Sequence, residues 1–480
     1  MELVIIISSL LFAAAACLIA RKRAVIESVS VVASLISFVC TAVMAHTVTK
    51  TGPFCFHEFF CVDALGTIIM LIISVVGLAT TAYSVAYLRE ETVKGIIGMP
   101  QVRRYYVLLN LFLLAMFFAV TSSNPIFTWI SIEATTLSTA FLISFYNKPN
   151  AIEAAWKYLI INSIGLLLGF FGTLLFFTSM IGVKEPGFAT WNTLLSHASH
   201  FDPTIAKIAF VFVLIGYGTK VGLAPMHTWL PDAHSKAPVP ISALLSGVLL
   251  NVAFIAIIRF KVIADASIGE AFSQKLFIIF GLLSILIAAL IIFTQKNYKR
   301  LLAYSSIENM GIAALGFGMG GLGIFAAILH MIYHSLLKSA LFLTAGNVFL
   351  KYSSTKIADI RGMISVIPVT GILFLIGLFA ITGTPPSGIF FTKLFILTAG
   401  IKSHPAVTIV AIFLVALLFV GFLKHAVAMI FGEKPNAVNT GEKGGLLIFA
   451  PMALVAIAVF LSFHIPVFLN TLLTQAVAHH

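Results

Sequence analysis

Three observations predict an all-α polytopic membrane protein with about fourteen transmembrane helices. The 480 residues are 60% hydrophobic and only 10% charged, whereas soluble domains carry roughly 25% charged residues. Mean hydropathy is +1.08. Apolar runs of about 20 residues, the length needed to cross a bilayer, recur along the whole chain. These runs begin near residues 3, 25, 63, 104, 124, 151, 204, 238, 272, 300, 322, 363, 405 and 445.

Basic residues in the loops predict the direction in which the chain crosses the membrane. The first apolar run is followed by Arg21, Lys22 and Arg23 rather than by a small-residue cleavage site, so we expect a retained first span. Alternate loops carry 17 Lys and Arg on the side of this first basic loop and 7 on the other. The positive-inside rule therefore places both termini on the outer side. Because this asymmetry accounts for most of the net charge of +12, nucleic-acid binding is not needed to explain it.

The four cysteines limit metal chemistry on this chain. Cys17, Cys40, Cys55 and Cys61 form no CxxC pair, so neither an iron-sulfur cluster nor a zinc site is expected here. Cys55 and Cys61 share a loop on the predicted outer side. The sequence does not decide whether these two cysteines form a disulfide or remain free thiols.

A lysine beside a proline interrupts the seventh span. Lys220 lies five residues before Pro225 in GTKVGLAPMHTWLPDAH, residues 218–234. A charge at the membrane centre costs about 2.5 to 3.5 kcal/mol, so such a residue is a functional-site hypothesis by default. Proline ends the helix and frees backbone polar groups, as in transporter ion sites. After the break, Asp232, His234 and Lys236 line an entry route or form a simple turn, and His227 is a further secondary candidate.

Polar residues inside the spans recur at a nearly constant offset. Glu133 and Glu308 each follow Ser-Ile and are 175 positions apart. The other two pairs are Lys220 with Lys393, 173 apart, and Asn251 with His425, 174 apart. Lys393 also follows two helix-breaking prolines, Pro385 and Pro386. A shared offset predicts an internal repeat, with chance similarity among apolar helices as the alternative.

The predicted repeat unit contains five helices, and an odd number makes the two copies inverted in the membrane. We expect a three-helix segment over 1–100, a first repeat over 101–265, a second over 266–432 and a C-terminal helix over 433–480. Each repeat is expected to contain one discontinuous helix, broken at Pro225 in the first and at Pro385 and Pro386 in the second.

Two groups of ionisable residues are candidates for proton transfer. Glu133 lies near the middle of its span, where a carboxylate must be neutral or paired. Lys220 is able to form that pair; a structural polar contact and a static ion pair are the alternatives. Lys157 follows Glu153 by four positions, so an ordinary i, i+4 pair competes with a functional role.

His330, His334 and Lys338 are spaced at i, i+4 and i+8 within one span, so all three fall roughly on one helix face. Histidine and buried lysine suit stepwise proton transfer with water between them. Structural histidines are one alternative. Metal binding is another, although no nearby carboxylate or cysteine completes a site.

Four strings carry a resemblance to a known superfamily: GTKVGLAPMHTWLPDAHSKAPVPISALLSG, KRLLAYSSIENMG, HMIYHSLLKSALFL and GTPPSGIFFTK. They resemble the antiporter-like subunits shared by respiratory complex I, Mrp cation/proton antiporters and membrane-bound hydrogenases. SIENMG and HSLLKSALFLTAGNV look most similar to component F of hydrogenase-4 and formate hydrogenlyase complexes. The resemblance covers nearly all of the chain.

The resemblance implies roles for individual residues. Glu133 and Lys220 match the family's carboxylate and lysine pair, Lys338 its central lysine and Lys393 its terminal charged site, where some members have glutamate. Asn251 stands where complex I members commonly carry a lysine. Because asparagine cannot titrate, an unbroken relay must use water or the histidines.

The implied function is proton translocation by a membrane subunit of a redox-driven complex, a group 4 [NiFe] hydrogenase or formate hydrogenlyase, in a prokaryotic cytoplasmic membrane. The [NiFe] centre and iron-sulfur clusters are expected on partner subunits, and no cofactor or redox chemistry is expected on this chain. The chain is expected to be part of an oxidoreductase or translocase complex, and whether it is itself an enzyme stays open. Expected partners are other membrane subunits and a peripheral hydrogenase or redox arm, with protons or sodium as the transported ion. The alternatives are a Mrp-type Na⁺/H⁺ antiporter subunit, a proton-pumping subunit of complex I, an inorganic-carbon uptake subunit with a zinc-bearing partner, and a non-transporting scaffold.

Overall fold

A computed structural model of the protein describes residues 1–56, 58–179, 190–436 and 438–478, which are helical almost throughout. The helices before the first break are α1 Glu2–Ile19, α2 Arg23–Thr51, α3 Ala64–Val93, α4 Met99–Thr121, α5 Pro125–Ile143, α6 Pro149–Thr178, α7 Trp191–His197 and α8 Pro203–Val221. The middle helices are α9 Trp229–Lys236, α10 Val239–Leu244, α11 Leu250–Ile268, α12 Glu270–Ile291, α13 Tyr298–Met319 and α14 Leu322–Tyr352. The last six are α15 Met363–Val366, α16 Pro368–Thr382, α17 Gly388–Ser403, α18 Pro405–Ile430, α19 Leu446–Phe463 and α20 Val467–Ala478. Two short strands, β1 Phe54–Phe56 and β2 Phe60–Val62, form an antiparallel hairpin between α2 and α3.

The predicted multi-pass membrane architecture is confirmed. Among the described residues, twelve helical segments are long and apolar enough to cross a membrane, and α16 and α20 are shorter apolar helices. Predicted span starts agree closely with the helices, and the fourth, predicted near 104, begins at Met99. Helix α20 was not predicted, because its 12 residues are too few to register as a bilayer-spanning run.

Both predicted helix breaks are present. The first break separates α8 from α9, contains Pro225 and begins at Gly222, which has φ +81°. The second break separates α16 from α17, contains Pro385 and begins at Gly383, which has φ +92°. Glycine adopts this left-handed backbone without strain. The inverted relation between two five-helix units stays a prediction.

Short polar residues fix where several helices begin. Asp63 accepts a hydrogen bond from the Gly66 amide at 2.6 Å and so caps α3. Asn124 caps α5 by accepting from the Ile126 amide at 2.7 Å. These side chains satisfy backbone donors that the first turn leaves free. The cap at Asn124 sets the register of α5, which carries Glu133.

The bundle has two distinct ends. At the end that we call the basic end, the loops over 20–22, 94–98, 144–148, 295–297 and 353–367 come together. Arg103 donates to the Ala20 carbonyl at 3.1 Å, and the Tyr298 amide donates to the Thr355 carbonyl at 3.1 Å. These are the loops predicted to lie on the inner side.

The opposite end, which we call the disulfide end, carries the β1–β2 hairpin. Cys55 and Cys61, left open by the sequence, form a disulfide. The hairpin holds the loop before α5, since the Phe59 carbonyl accepts from the Ser123 amide at 2.9 Å. The hairpin therefore packs against the start of the helix that bears Glu133.

Helices α6 and α8 approach very closely. A Cβ on Gly216 of α8 would lie 2.2 Å from the backbone nitrogen of Gly169 on α6. No side chain larger than hydrogen fits between the two backbones at this point. One turn beyond Gly216, Lys220 is thereby placed against Tyr158 of α6.

Candidate functional site

Lys220 is fully buried at the end of α8, just before the first break. Its Nζ donates to Tyr158 OH at 2.6 Å and to Thr136 Oγ1 at 2.8 Å. The same Nζ lies 4.7 Å from the centre of the Tyr158 ring, over its electron-rich face. Two hydroxyls and an aromatic ring therefore stabilise this ammonium.

Glu133 lies one turn before Thr136 on α5 and has a different partner. Its Oε1 accepts from Ser163 Oγ at 2.8 Å, and its buried Oε2 has no hydrogen-bonding partner within the described part of the chain. The Lys220 and Glu133 side chains make no direct hydrogen bond to each other. Lys220 bonds to Thr136, which lies on the same face of α5 as Glu133, so the two residues that the sequence suggested as a pair are neighbours without a direct hydrogen bond.

Beside the second break, the corresponding carboxylate and lysine are joined. Lys393 Nζ donates to Glu308 Oε1 at 2.6 Å, with side-chain exposures of 6% and 2%. Lys393 also donates to the Thr382 carbonyl at 3.1 Å, the last residue of α16. Glu308 accepts a further bond from Asn309 Nδ2 at 2.6 Å. A buried ion pair satisfied in this way is costly to break by removing one partner.

The predicted polar stripe on α14 is entirely buried. His330, His334 and Lys338 all have 0% exposure. Lys338 Nζ donates to the Leu302 carbonyl of α13 at 2.7 Å. His330 Nδ1 bonds to Thr392 Oγ1 at 2.8 Å, and Thr392 immediately precedes Lys393. The stripe thus begins beside the ion pair at the second break and continues toward α13.

Several buried nitrogens and oxygens near this stripe have no protein partner. Over the described residues, this holds for both ring nitrogens of His334, both ring nitrogens of His234 and Nε2 of His330. It also holds for Asn251 Oδ1, although Asn251 Nδ2 donates to Ser335 Oγ at 2.6 Å. Buried polar atoms are bonded to protein or to ordered water, so water is expected at these positions.

Together these residues form a row of ionisable and polar side chains inside the bundle, all of them buried except Glu133, which is half-buried. We call this set the polar row: Glu133, Lys220, His234, Asn251, His334, Lys338, His330, Lys393 and Glu308. Histidine, lysine and carboxylate side chains exchange protons, and each of them is rare inside apolar helices unless it has a function. Such an arrangement is suited to carrying protons along the row with water between the groups.

Lys157 and Asp232 lie outside the polar row. Lys157 is 49% exposed and pairs with Glu153 at 2.7 Å, the ordinary i, i+4 arrangement, and with Asp232 at 3.6 Å. Asp232 also forms an ion pair with Arg300. These four side chains make a partly exposed network near the basic end.

His227 and His425 are also apart from the row. His227 lies in the helical turn between α8 and α9, and its ring centre is 6.4 Å from that of Tyr304. His425 on α18 bonds through Nε2 to the Ile292 carbonyl at 3.0 Å. That single bond joins α18 to the end of α12, which is a structural contact.

A cavity of about 280 Å³ adjoins the second break. Its lining includes Thr384, Pro385, Pro386 and Ser387, and Thr384 Oγ1 has no partner among the described atoms. Irregular backbone at membrane depth is tolerated where it is buried in protein or lines such a cavity. The second break therefore adjoins a cavity whose other lining residues, such as Leu375, Phe379 and Phe463, are mostly apolar.

Sequence reasoning missed four residues. Tyr158 and Thr136, which hold Lys220, gave no signal because aromatic and hydroxyl residues are common in such helices. Glu91 and Lys299 are buried at the basic end, at 0% and 4% exposure. Glu91 lies in the last turn of α3 and Lys299 in the first turn of α13. From sequence alone, each is therefore indistinguishable from a charge in a solvated loop. In the described part of the chain, no three His, Cys, Asp or Glu side chains come together as metal ligands do.

The sequence matches a known family and is similar to several known proteins. The family described as NADH:quinone oxidoreductase/Mrp antiporter, transmembrane, matches residues 122–419. The hydrogenase-4 component F homologue of Methylacidiphilum infernorum is 41% identical over 391 residues, covering 81% of this chain and 80% of that protein. Hydrogenase-4 component B of Escherichia coli is 29% identical over 340 residues, which span 68% of this chain but only 48% of that protein.

The fold is similar to that of a chain in the Mrp complex of Dietzia sp. The TM-score is 0.87 at 18% sequence identity, and the match covers 99% of this chain and 96% of that chain. At this identity the likeness concerns the fold alone.

Proposed function

Because this chain belongs to the NADH:quinone oxidoreductase/Mrp antiporter family of membrane proteins, we propose that it translocates protons as a subunit of a redox-driven complex of the hydrogenase-4 type. The 41% identity to a component F homologue supports hydrogenase-4 over a Mrp antiporter. The driving reaction, reduction of protons or oxidation of hydrogen at a [NiFe] centre served by iron-sulfur clusters, takes place on partner subunits. Those partners are other membrane subunits, which lie with this chain in a prokaryotic cytoplasmic membrane, and a peripheral arm attached to them.

The proposed path follows the polar row. Glu133 and Lys220 load a proton, the histidines and Lys338 relay it, and Lys393 releases it. Asn251 does not titrate, but its amide holds Ser335 and leaves Oδ1 for water. Water beside Asn251 bridges the section where complex I relatives commonly carry a lysine.

One observation carries the proposal: the two lysines at the two breaks have different partners. Lys393 is ion-paired with Glu308, whereas Lys220 is held by two hydroxyls and makes no direct bond to Glu133. A charge that moves along the row changes the free energy of each pair that it passes. In one state Lys393 is paired with Glu308 and Lys220 is not paired with Glu133; in the other state these relations are reversed. Partner subunits are able to drive this two-state change electrostatically.

The proposed direction of transport is from the basic end to the disulfide end. The loops at the basic end carry the excess of lysine and arginine that marks the inner side. The Cys55–Cys61 disulfide lies at the other end, and disulfides persist on oxidising surfaces. Both features support termini on the outer side.

The composition of the native complex tests the hydrogenase-4 assignment. The complex is solubilised with the tagged chain and characterised by mass spectrometry and metal analysis. Subunits that carry nickel and iron-sulfur clusters are expected. Other membrane antiporter subunits without nickel would identify a Mrp complex instead, and a zinc-bearing soluble partner would identify an inorganic-carbon uptake system.

A further inference from the structure

A second group of buried ionisable side chains lies at the basic end, outside the polar row. Glu91 is in the last turn of α3 and has 0% exposure. Its Oε1 accepts from Tyr146 OH at 2.5 Å, but its Oε2 is buried without a partner among the described residues. The Tyr87 hydroxyl also lies close to this carboxylate. Because an unbonded buried acceptor is costly, a proton on Oε2 would be stabilising.

Lys299 is buried close to this carboxylate. It is 4% exposed at the start of α13, and its Nζ donates to the Ala237 carbonyl at 2.8 Å. An ammonium has three donors, and this one bond uses only one of them. Glu91 and Lys299 are near enough to interact electrostatically. An acid and a base that influence each other are therefore both buried at the basic end.

Lys299 also adjoins the polar row. Its acceptor, Ala237, follows α9 and is three residues beyond His234, whose two nitrogens have no protein partner in the described chain. Three residues after Lys299, the Leu302 carbonyl accepts from Lys338. Lys299 therefore lies between Glu91 and the central members of the row.

The aqueous surface begins one residue away from Glu91. Glu90 is 20% exposed and forms an ion pair with Lys443, which is 65% exposed. Lys94, one helical turn further, is exposed and donates to the Leu350 carbonyl. Glu91 is thus a buried carboxylate next to this surface, and unlike buried Glu27, which is ion-paired with Arg23 and Arg89, it has no ion pair among the described residues.

We propose that Glu91 and Lys299 form a proton-uptake site that feeds the centre of the polar row from the basic end. The inference rests on the proposed function and adds a route to His234 and Lys338 that bypasses Lys220. The Glu91 carboxylate accepts a proton from water at the basic end and becomes a neutral carboxylic acid. The Lys299 ammonium passes its own proton toward His234 and becomes a neutral amine. Glu91 then transfers its proton through water to that amine, which regenerates the carboxylate and the ammonium.

The test uses the complete complex in inverted membrane vesicles, where the basic end faces the bath. Reduced methyl viologen drives hydrogen evolution, and quenching of an acridine dye reports proton uptake into the vesicles. Glu91→Gln should lower proton uptake per hydrogen evolved by about tenfold or more, since a proton carrier is lost. Glu91→Asp should restore most of the uptake, because it keeps the carboxylate. Glu90→Gln is the matched control and should behave like the unmodified complex.

Normal proton uptake by the assembled Glu91→Gln complex would overturn the uptake site. If Lys220→Ala still abolished proton uptake in the same assay, the proposed function would stand without the uptake site. Failure of the unmodified complex to take up protons during hydrogen evolution would overturn both. If Glu91→Gln does not assemble, Lys299→Gln decides, because it retains a donor for Ala237 but cannot carry a proton. A loss of uptake supports the site, and normal uptake rejects it.

Discussion

Lys393 and Glu308 form a buried ion pair of 2.6 Å beside the second helix break. At the first break, Lys220 instead donates to the hydroxyls of Thr136 and Tyr158. The same kind of residue at two similar breaks therefore has a charged partner in one place and neutral partners in the other.

Removing one member of the buried ion pair should destabilise the protein. Glu308→Gln or Lys393→Met each leaves an unpaired buried partner, at a cost of about 3 to 5 kcal/mol. The double variant leaves neither charge and should lose much less than the sum of the single effects. Denaturation of the purified chain in mixed micelles measures all three free energies of unfolding. Additive losses would show that the two side chains do not interact.

The Tyr158 hydroxyl should matter for transport more than for assembly. It bonds to Lys220 at 2.6 Å and to Thr139 at 2.5 Å. Tyr158→Phe removes one hydrogen bond to a charged group, worth roughly 1.5 to 3 kcal/mol, so proton uptake should fall about ten- to a hundredfold.

The control for that variant is Tyr106→Phe. Tyr106 is also fully buried, and its hydroxyl has no partner among the described residues. Vesicle proton uptake normalised to hydrogen evolution compares the two variants. Equal effects of both changes would mean that the hydroxyl beside Lys220 has no special part in transport.

The close contact of α6 and α8 should not tolerate even one methyl group. Gly216→Ala places a Cβ 2.2 Å from the Gly169 backbone, so the helices must separate. Overpacking of this kind costs about 1 to 3 kcal/mol or more, and it moves Lys220 away from Tyr158. Lower thermal stability in detergent and reduced proton uptake are expected together.

Gly444→Ala is the control for this change, because no atom lies within 4 Å of a Cβ built there. It should leave both stability and transport unchanged. A Gly216→Ala protein as stable as the control would mean that the helices are not in backbone contact.

The orientation of the chain is open to a labelling experiment. After reduction, a membrane-impermeant maleimide should label Cys55 in intact cells, since the disulfide end is predicted to face outward. Lys22→Cys, introduced into the first basic loop, should be labelled only in inverted vesicles. The reversed pattern would place both termini inside.

Much of this architecture could be predicted from sequence because a membrane restricts the composition and length of every helix that crosses it. A span must be apolar for about 20 residues, so helix number and starts followed from hydropathy. Prolines marked both breaks, and a lysine beside each stood out against an apolar background. The i, i+4, i+8 spacing placed His330, His334 and Lys338 on one face, and all three are buried.

Partner identities could not be predicted, because they depend on how helices distant in sequence pack together. Tyr158 is 62 positions from Lys220, and no local pattern links them. Glu308 and Lys393, 85 positions apart, are directly bonded, whereas Glu133 and Lys220 are not. Glu91 and Lys299 looked like loop charges, and only the packing of α3, α9 and α13 shows that they are buried.

The role of Lys220 tests the central claim most directly. The Lys220→Ala complex is examined for hydrogen evolution in detergent and for proton uptake in inverted vesicles. Lys424→Ala serves as the control, because Lys424 is exposed on α18 and outside the polar row. The account predicts unchanged hydrogen evolution with proton uptake lowered on the order of a hundredfold. Undiminished proton uptake by Lys220→Ala would contradict it.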